Sequence, residues 1–111
     1  MLINKGSFQG RQILKPASVE YMTTHKLIAC QQEWFEKWWE MNGYSYGNLM
    51  RVMTDPWKAP CEGEYGWDGW LGCYFANFPK ENMTILMMMQ KKDAGTFDLT
   101  RKLRNVLLLG M

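Results

Sequence analysis

LGCYFANFPKENMTILMMMQ, residues 71–90, decides the fold. Drawn as an extended chain, its first half puts Leu71, Cys73 and Phe75 on one face and Tyr74, Ala76 and Phe78 on the other. Its second half puts Ile85, Met87 and Met89 on one face and Leu86 and Met88 on the other. Pro79-Lys80-Glu81-Asn82 between them is a tight polar connection. Two extended runs that are apolar on both faces and joined by a turn predict an antiparallel hairpin, strands over 71–78 and 83–90, buried on both sides.

Downstream, residues 91–95 read as a polar turn, with Lys91-Lys92 solvated. Thr96 is placed to cap a helix, and Asp98 falls in the first turn, where the helix dipole favours a carboxylate. Leu99, Leu103, Val106 and Leu107 follow helical spacing and predict the packed face. Arg101, Lys102 and Arg104 are then expected in water, and Gly110 ends the helix. This amphipathic helix is expected to lie across one face of the hairpin.

Upstream, Gly63-Glu64-Tyr65-Gly66-Trp67-Asp68-Gly69-Trp70-Leu71-Gly72 packs four glycines and three aromatics into a run that feeds the hairpin. Glycine allows close backbone approach to a ligand or a positive φ, and flanking tryptophans can wall a pocket. An aromatic-rich turn that merely needs glycine is the plainer alternative. Glu62 and Glu64 are expected as solvated loop charges. Residues 58–63 read as loop, 48–53 as a strand ended by Asp55-Pro56, and the chain reads as extended from Tyr44 onward. Residues 31–41 predict a helix stopped by Asn42-Gly43. Trp34 with Trp38 and Phe35 with Trp39 form an i,i+4 aromatic stripe, and Glu33 with Lys37 an ion pair on the remaining surface. The stripe either packs on the core, the favoured outcome, or lines a groove. Pro16 opens a helix that ends near Thr24, with Val19 and Met22 inward. Gly6 and Gly10 bracket a polar turn before a short extended piece at 11–14, and residues 1–5 read as the last turn of a helix. The fold class is therefore α+β, an antiparallel sheet with helices packed against it.

The chain has 111 residues, enough for one domain. Thirteen Lys and Arg against eleven Asp and Glu leave +2, too balanced to imply nucleic acid as a partner. The longest apolar run, Ile85 to Met89, is five residues, so no membrane span is expected. Residues 1–10 carry neither an apolar core nor a cleavage site, so a signal peptide is not expected there. Ten Met suggest adaptable packing, and six Trp are more large rings than one small core hides, so some should line a cleft or an interface. Cys30, Cys61 and Cys73 form no Cys-x-x-Cys, and with His25 as the one histidine no metal site is expected. One disulfide among the three cysteines stays open, with no pair selected.

Residues 63–78, then Pro79-Lys80-Glu81-Asn82, then the apolar strand to Gln90 resemble the C-terminal part of the serine β-lactamase-like hydrolases. That family joins class C β-lactamases, penicillin-binding-protein-like peptidases and related esterases. Residues 2–6, 10–14 and 16–24, and Gly43-Tyr44-Ser45-Tyr46-Gly47 with the strand to Asp55-Pro56, have counterparts in the same order. The Trp-rich stretch 30–41 is the exception and looks divergent or inserted. The family's third active-site motif is Lys-Thr-Gly, His-Thr-Gly or Trp-Gly-Gly, and Trp67-Asp68-Gly69 stands in its place, with Asp68 where the family has a small residue. The resemblance implies that this stretch lies on the strand edging the cleft and that the backbone N–H of Trp70 serves the oxyanion hole. A backbone donor does not depend on the side chain that follows it. Trp67, Asp68, Gly69 and Trp70 are accordingly the candidate substrate-binding residues.

The nucleophile of the family is the serine of Ser-x-x-Lys, and no such motif is present. The residues three after Ser7, Ser18 and Ser45 are Gly10, Tyr21 and Asn48. Tyr46-Gly47-Asn48 has the form of the second motif, Tyr-x-Asn, but its position matches a structural strand. No catalytic residue, metal or cofactor is therefore assigned. Residues 1–111 are expected to form a single partial domain, the C-terminal part of a β-lactamase-like domain, inactive alone. The alternative is a free-standing, non-catalytic binding or interaction module with an aromatic cleft. In the family an N-terminal strand flanks the equivalent of 83–90, so the expected partner is the missing N-terminal part of the fold or a second copy of the chain.

Overall fold

A computed structural model describes residues 1–38, 41–55, 57, 61–92 and 96–110, for Thr96 the backbone only. The expectations on Trp39, Pro56, residues 58–60 and 93–95, and the Thr96 cap lie outside the described residues. Strands β3 (Tyr44–Tyr46), β4 (Arg51–Met53), β5 (Tyr65–Asp68), β6 (Tyr74–Phe78) and β7 (Met83–Met87) form an antiparallel meander in chain order. Helices α1 (Pro16–Thr23), α2 (Ala29–Lys37) and α3 (Thr96–Leu109) complete the α+β architecture. No helix among the described residues is long and apolar enough to cross a membrane.

The 71–90 hairpin forms, with Phe78 opposite Met83 across the Pro79–Asn82 turn. It is shorter than expected, and only its first strand is sandwiched. Tyr74, Ala76 and Phe78 are buried. Residues 71–73 leave the ladder, because Gly72 turns the chain at φ 92°. β7 is an edge strand, so burial on both sides fails there: Ile85 is inside, whereas Leu86 is 64% exposed. Gly66 and its neighbours, for which an aromatic-rich turn was the plainer alternative, form strand β5, in register with Phe75–Asn77.

Two apolar clusters flank the sheet. One gathers Met41, Tyr44, Met53, Cys61, Tyr74, Ala76, Phe78 and Ile85, with Phe97 and Leu108 of α3 packed against it. The other gathers Met50, Val52 and Tyr65 with Leu2 and Met22. Removing a ring such as Phe78 from water is worth roughly 1.5–3 kcal/mol.

The helices start where the sequence lets them. Pro16 sits at the first helical position of α1, where its missing N–H costs nothing, and Val19 is buried. α2 begins at Ala29, earlier than expected, because the Ile28 N–H donates to the Gln31 Oε1 (3.2 Å). Gln32 Nε2 donates to the Tyr44 carbonyl (2.7 Å) and ties α2 to β3. The predicted Glu33–Lys37 pair is present at 2.6 Å. Near the N-terminus, β1 (Ser7–Phe8) and β2 (Arg11–Gln12) make a small hairpin around Gln9 and Gly10, both at positive φ, where a polar turn and then a short extended piece at 11–14 were expected. Strand β4 is also shorter than 48–53, because Leu49 sits in a bend at φ 60° with its side chain 78% exposed.

The largest correction concerns α3, which packs with the opposite face from that predicted. Thr100 and Arg104 are buried, Arg101 is mostly covered, and Phe97 and Leu108 join the core. Leu99, Val106 and Leu107 face outward, whereas Leu103 is half-buried and Lys102 lies in water as expected. The reason is electrostatic. Glu64, expected in a solvated loop, is fully buried, and so is Arg51 on β4. Buried charges need partners, and the α3 arginines supply them.

Candidate functional site

The four candidate residues sit where β5 runs into the turn toward β6. Asp68 pairs with Tyr74 as the last rung of the ladder. The Gly69 N–H then donates to the Cys73 carbonyl (2.7 Å), and the Gly72 N–H to the Gly69 carbonyl (2.9 Å). Strand alternation sends neighbouring side chains to opposite faces, so the four do not converge. Trp67 is half-buried and turns toward α2 and β3. Asp68 is buried beneath α3. Trp70 is 54% exposed in the turn, where the Lys92 ammonium lies over its ring at 5.6 Å.

Asp68 belongs to a buried ion network. Arg101 grips it with two bonds, Nη1 to Oδ1 (2.9 Å) and Nη2 to Oδ2 (3.1 Å), and Arg51 Nε lies 3.2 Å from Oδ2. Glu64 is the second hub. Arg51 Nη2 donates to its Oε1 (2.7 Å), and Arg104 Nη1 and the Tyr44 hydroxyl donate to its Oε2 (3.2 and 2.8 Å). Arg104 Nη1 also donates to the Tyr44 oxygen (2.6 Å). The Arg51 guanidinium lies over the Tyr44 and Tyr74 rings, 5.0 and 5.3 Å from their centroids. Three guanidiniums thus meet two carboxylates between sheet and helix.

The environment sets proton affinities. Burial, and then the Glu64 charge, push the Tyr44 and Tyr74 hydroxyls well above the ordinary phenol value, so both remain donors at neutral pH. Burial works against the Arg101 charge, but the hydrogen-bonded Asp68 carboxylate and the nearby Glu64 charge outweigh it, and the guanidinium is held above its usual value. Burial likewise pushes the Cys61 thiol up to about 12. A thiol in that state is a poor nucleophile at pH 7. All three cysteines are free thiols.

On the other side of β5, Trp67 completes a circuit of four rings. Tyr46 and Trp67 meet edge-on with centroids 5.6 Å apart. Trp67 and Trp38 are 6.1 Å apart, Trp38 and Phe35 6.1 Å, and Phe35 and Tyr46 5.8 Å. With Leu27 they line a shallow concavity of about 330 Å³. The predicted stripe therefore divides. Phe35 and Trp38, three apart, share the concavity, while Trp34 points away and is 76% exposed. Among the described residues of the stripe, packing on the core, the favoured outcome, holds only for the half-buried Phe35.

Sequence reasoning missed Arg51, Glu64, Arg101 and Arg104 in the network, and Leu27 and Tyr46 in the concavity. One signal was available for Arg51: a lone charge inside the apolar run 49–53 either ends a strand or is paired within it. The chain matches no protein-family model, and no curated protein matches it.

Proposed function

We propose that the chain is the C-terminal segment of a serine β-lactamase-like hydrolase, acting on β-lactam, peptide or ester substrates. In this reading it contributes the substrate-binding strand, and a segment carrying Ser-x-x-Lys supplies the nucleophile. The supporting observation is the anchoring of β5. Arg51 and Arg101 clamp Asp68, so the strand end that carries Gly69 and Trp70 is held by packed, charged side chains, as a positioning strand requires. An aspartate beside an oxyanion site would oppose developing charge, but here two guanidiniums compensate it.

The purified chain is expected to hydrolyse neither nitrocefin nor p-nitrophenyl esters above background, since no activated serine is present. Turnover abolished by alanine at Ser7, Ser18 or Ser45 would overturn the proposal. A second reading, a non-catalytic binding module, is favoured by the exposed aromatic concavity. Sequencing the message upstream of Met1 separates the two. An in-frame Ser-x-x-Lys supports the hydrolase, and a stop codon before any such motif supports the module.

Under the hydrolase reading, β7 is where the rest of the fold would join. It pairs with β6 alone among the described residues, and neither proline nor charge interrupts 83–89. Leu86 and Met88 beside it are 64% and 72% exposed. Such an edge recruits another strand. The isolated chain is therefore expected to dimerise in sedimentation equilibrium at high micromolar concentration. A Leu86→Lys change should return it to monomer. A parent chain that stays monomeric at that concentration would count against the open edge.

A further inference from the structure

We propose that the concavity formed by Leu27, Phe35, Trp38, Tyr46 and Trp67 binds an uncharged aromatic group of the substrate. This rests on the reading of β5 as the substrate-binding strand, because Trp67 is both part of that strand and one wall of the site. Three elements build the concavity, and one of them, β5, lies well beyond the others in sequence. α2 supplies Phe35 and its capping residue Trp38, and the sheet supplies Tyr46 and Trp67. Both are fastened: α2 to β3 through the Gln32 side chain, and the loop before α2 through the Lys26 N–H, which donates to the Tyr46 carbonyl (2.9 Å). The site is therefore formed before any ligand arrives.

Size and charge select the occupant. About 330 Å³ is the lower end of the range of ligand sites, roughly 300–1,000 Å³, and suits one bicyclic group rather than a whole drug-sized molecule. The five lining residues include no Lys, Arg, His, Asp or Glu. A charged group entering would lose hydration with no ion partner among the described wall residues. A cation could instead seek a ring face. In the Tyr46–Trp67 pair, however, the interplanar angle of 77° already sets the edge of one ring against the face of the other. A neutral aromatic group loses little hydration, and Trp38, 46% exposed, offers it a large surface to cover.

Saturation-transfer NMR on the intact chain tests this with three probes that share one ring system. They are 2-naphthylmethanol, 2-naphthoate and 2-naphthylmethylammonium. The neutral alcohol is expected to bind at least tenfold more tightly than either ion. Trp38→Ala should weaken it at least tenfold, and Trp34→Ala, on the outward side of α2, should not change it. Circular dichroism shows that each variant is folded. The probe series on the parent chain stands even if Trp38→Ala is not. Equal binding of the three probes, preference for the ammonium, or indifference to Trp38→Ala in a folded variant would overturn the proposal. No hydrolysis is read in this experiment. Binding without an upstream Ser-x-x-Lys would keep the site and discard the hydrolase, and no binding beside such a motif would discard the site alone.

Discussion

Glu64→Gln is expected to cost about 3–5 kcal/mol, the usual penalty for removing one partner of a buried ion pair. Glu64 is fully buried and accepts bonds from Arg51, Arg104 and Tyr44. Without its charge, Arg51, Arg101 and Arg104 would face Asp68 alone, three cations against one anion in a site closed to water. A domain of this size has a total stability of about 5–15 kcal/mol, so the variant should be marginal or unfolded at room temperature. Urea denaturation measures the loss. Glu62→Gln is the control. It lies two residues away, exposed and paired with Lys80, and should shift stability by about 0–1 kcal/mol. Removing Arg104 as well, in Glu64→Gln/Arg104→Met, should recover part of the loss, because one orphaned cation goes with it. If Glu64→Gln matched Glu62→Gln, the network would not be holding α3 to the sheet.

That network also explains why the packed face of the C-terminal helix was misjudged while the strand pairing of the hairpin was not. In residues 71–90 every cue agreed: a polar turn at Pro79–Asn82 and apolar residues on both sides of it. The pairing is local, so the cues lie close together in the chain. In α3 the leucines outnumber the other apolar residues, and the rule that leucine goes inward placed Leu99 and Leu107 in the core. The competing rule, that a buried carboxylate demands a cation, involves Glu64, which is 40 residues from Arg104. Nothing adjacent in sequence marks Glu64 as buried. Its neighbours Gly63 and Gly66 break the apolar pattern by which a strand is read from the residues themselves, and the pairing with Phe75–Asn77 that buries Glu64 lies about ten residues on. The same holds for the concavity. Phe35 and Trp38 were legible as part of an aromatic stripe, but Tyr46 and Trp67 join them only when the sheet brings β3 and β5 beside α2. Asp68 was singled out as one of four substrate-binding residues, yet the structure gives it a visible task only as an anchor.

Gly66→Ala is expected to abolish cooperative folding. Glycine at this position was read as a means of approaching a ligand, and the structure shows it approaching backbone instead. A Cβ added there would run into the Phe75 carbonyl oxygen and lie 2.8 Å from the Ala76 Cα. Both belong to the backbone of β6, so no rotamer change relieves the overlap. β5 and β6 would have to separate in the middle of the sheet, breaking the rungs at Tyr65–Asn77 and Trp67–Phe75 and pulling Tyr65 and Tyr74 from the two cores. Gly69→Ala is the informative contrast. Its Cβ would stand 3.3 Å from the Cys73 Cβ and 3.4 Å from the Cys73 carbonyl oxygen, an overlap that a shift of the turn by a few tenths of an ångström relieves. That variant should lose no more than about 1 kcal/mol, which corresponds to roughly 4–8 °C in melting temperature for a domain of about this size. Thermal melts followed by circular dichroism, with amide dispersion in NMR as the second readout, separate the two. A Gly66→Ala chain that melts within a few degrees of the parent would refute the register of β5 on β6, and with it the placement of Trp67 and Asp68 on opposite faces of the strand.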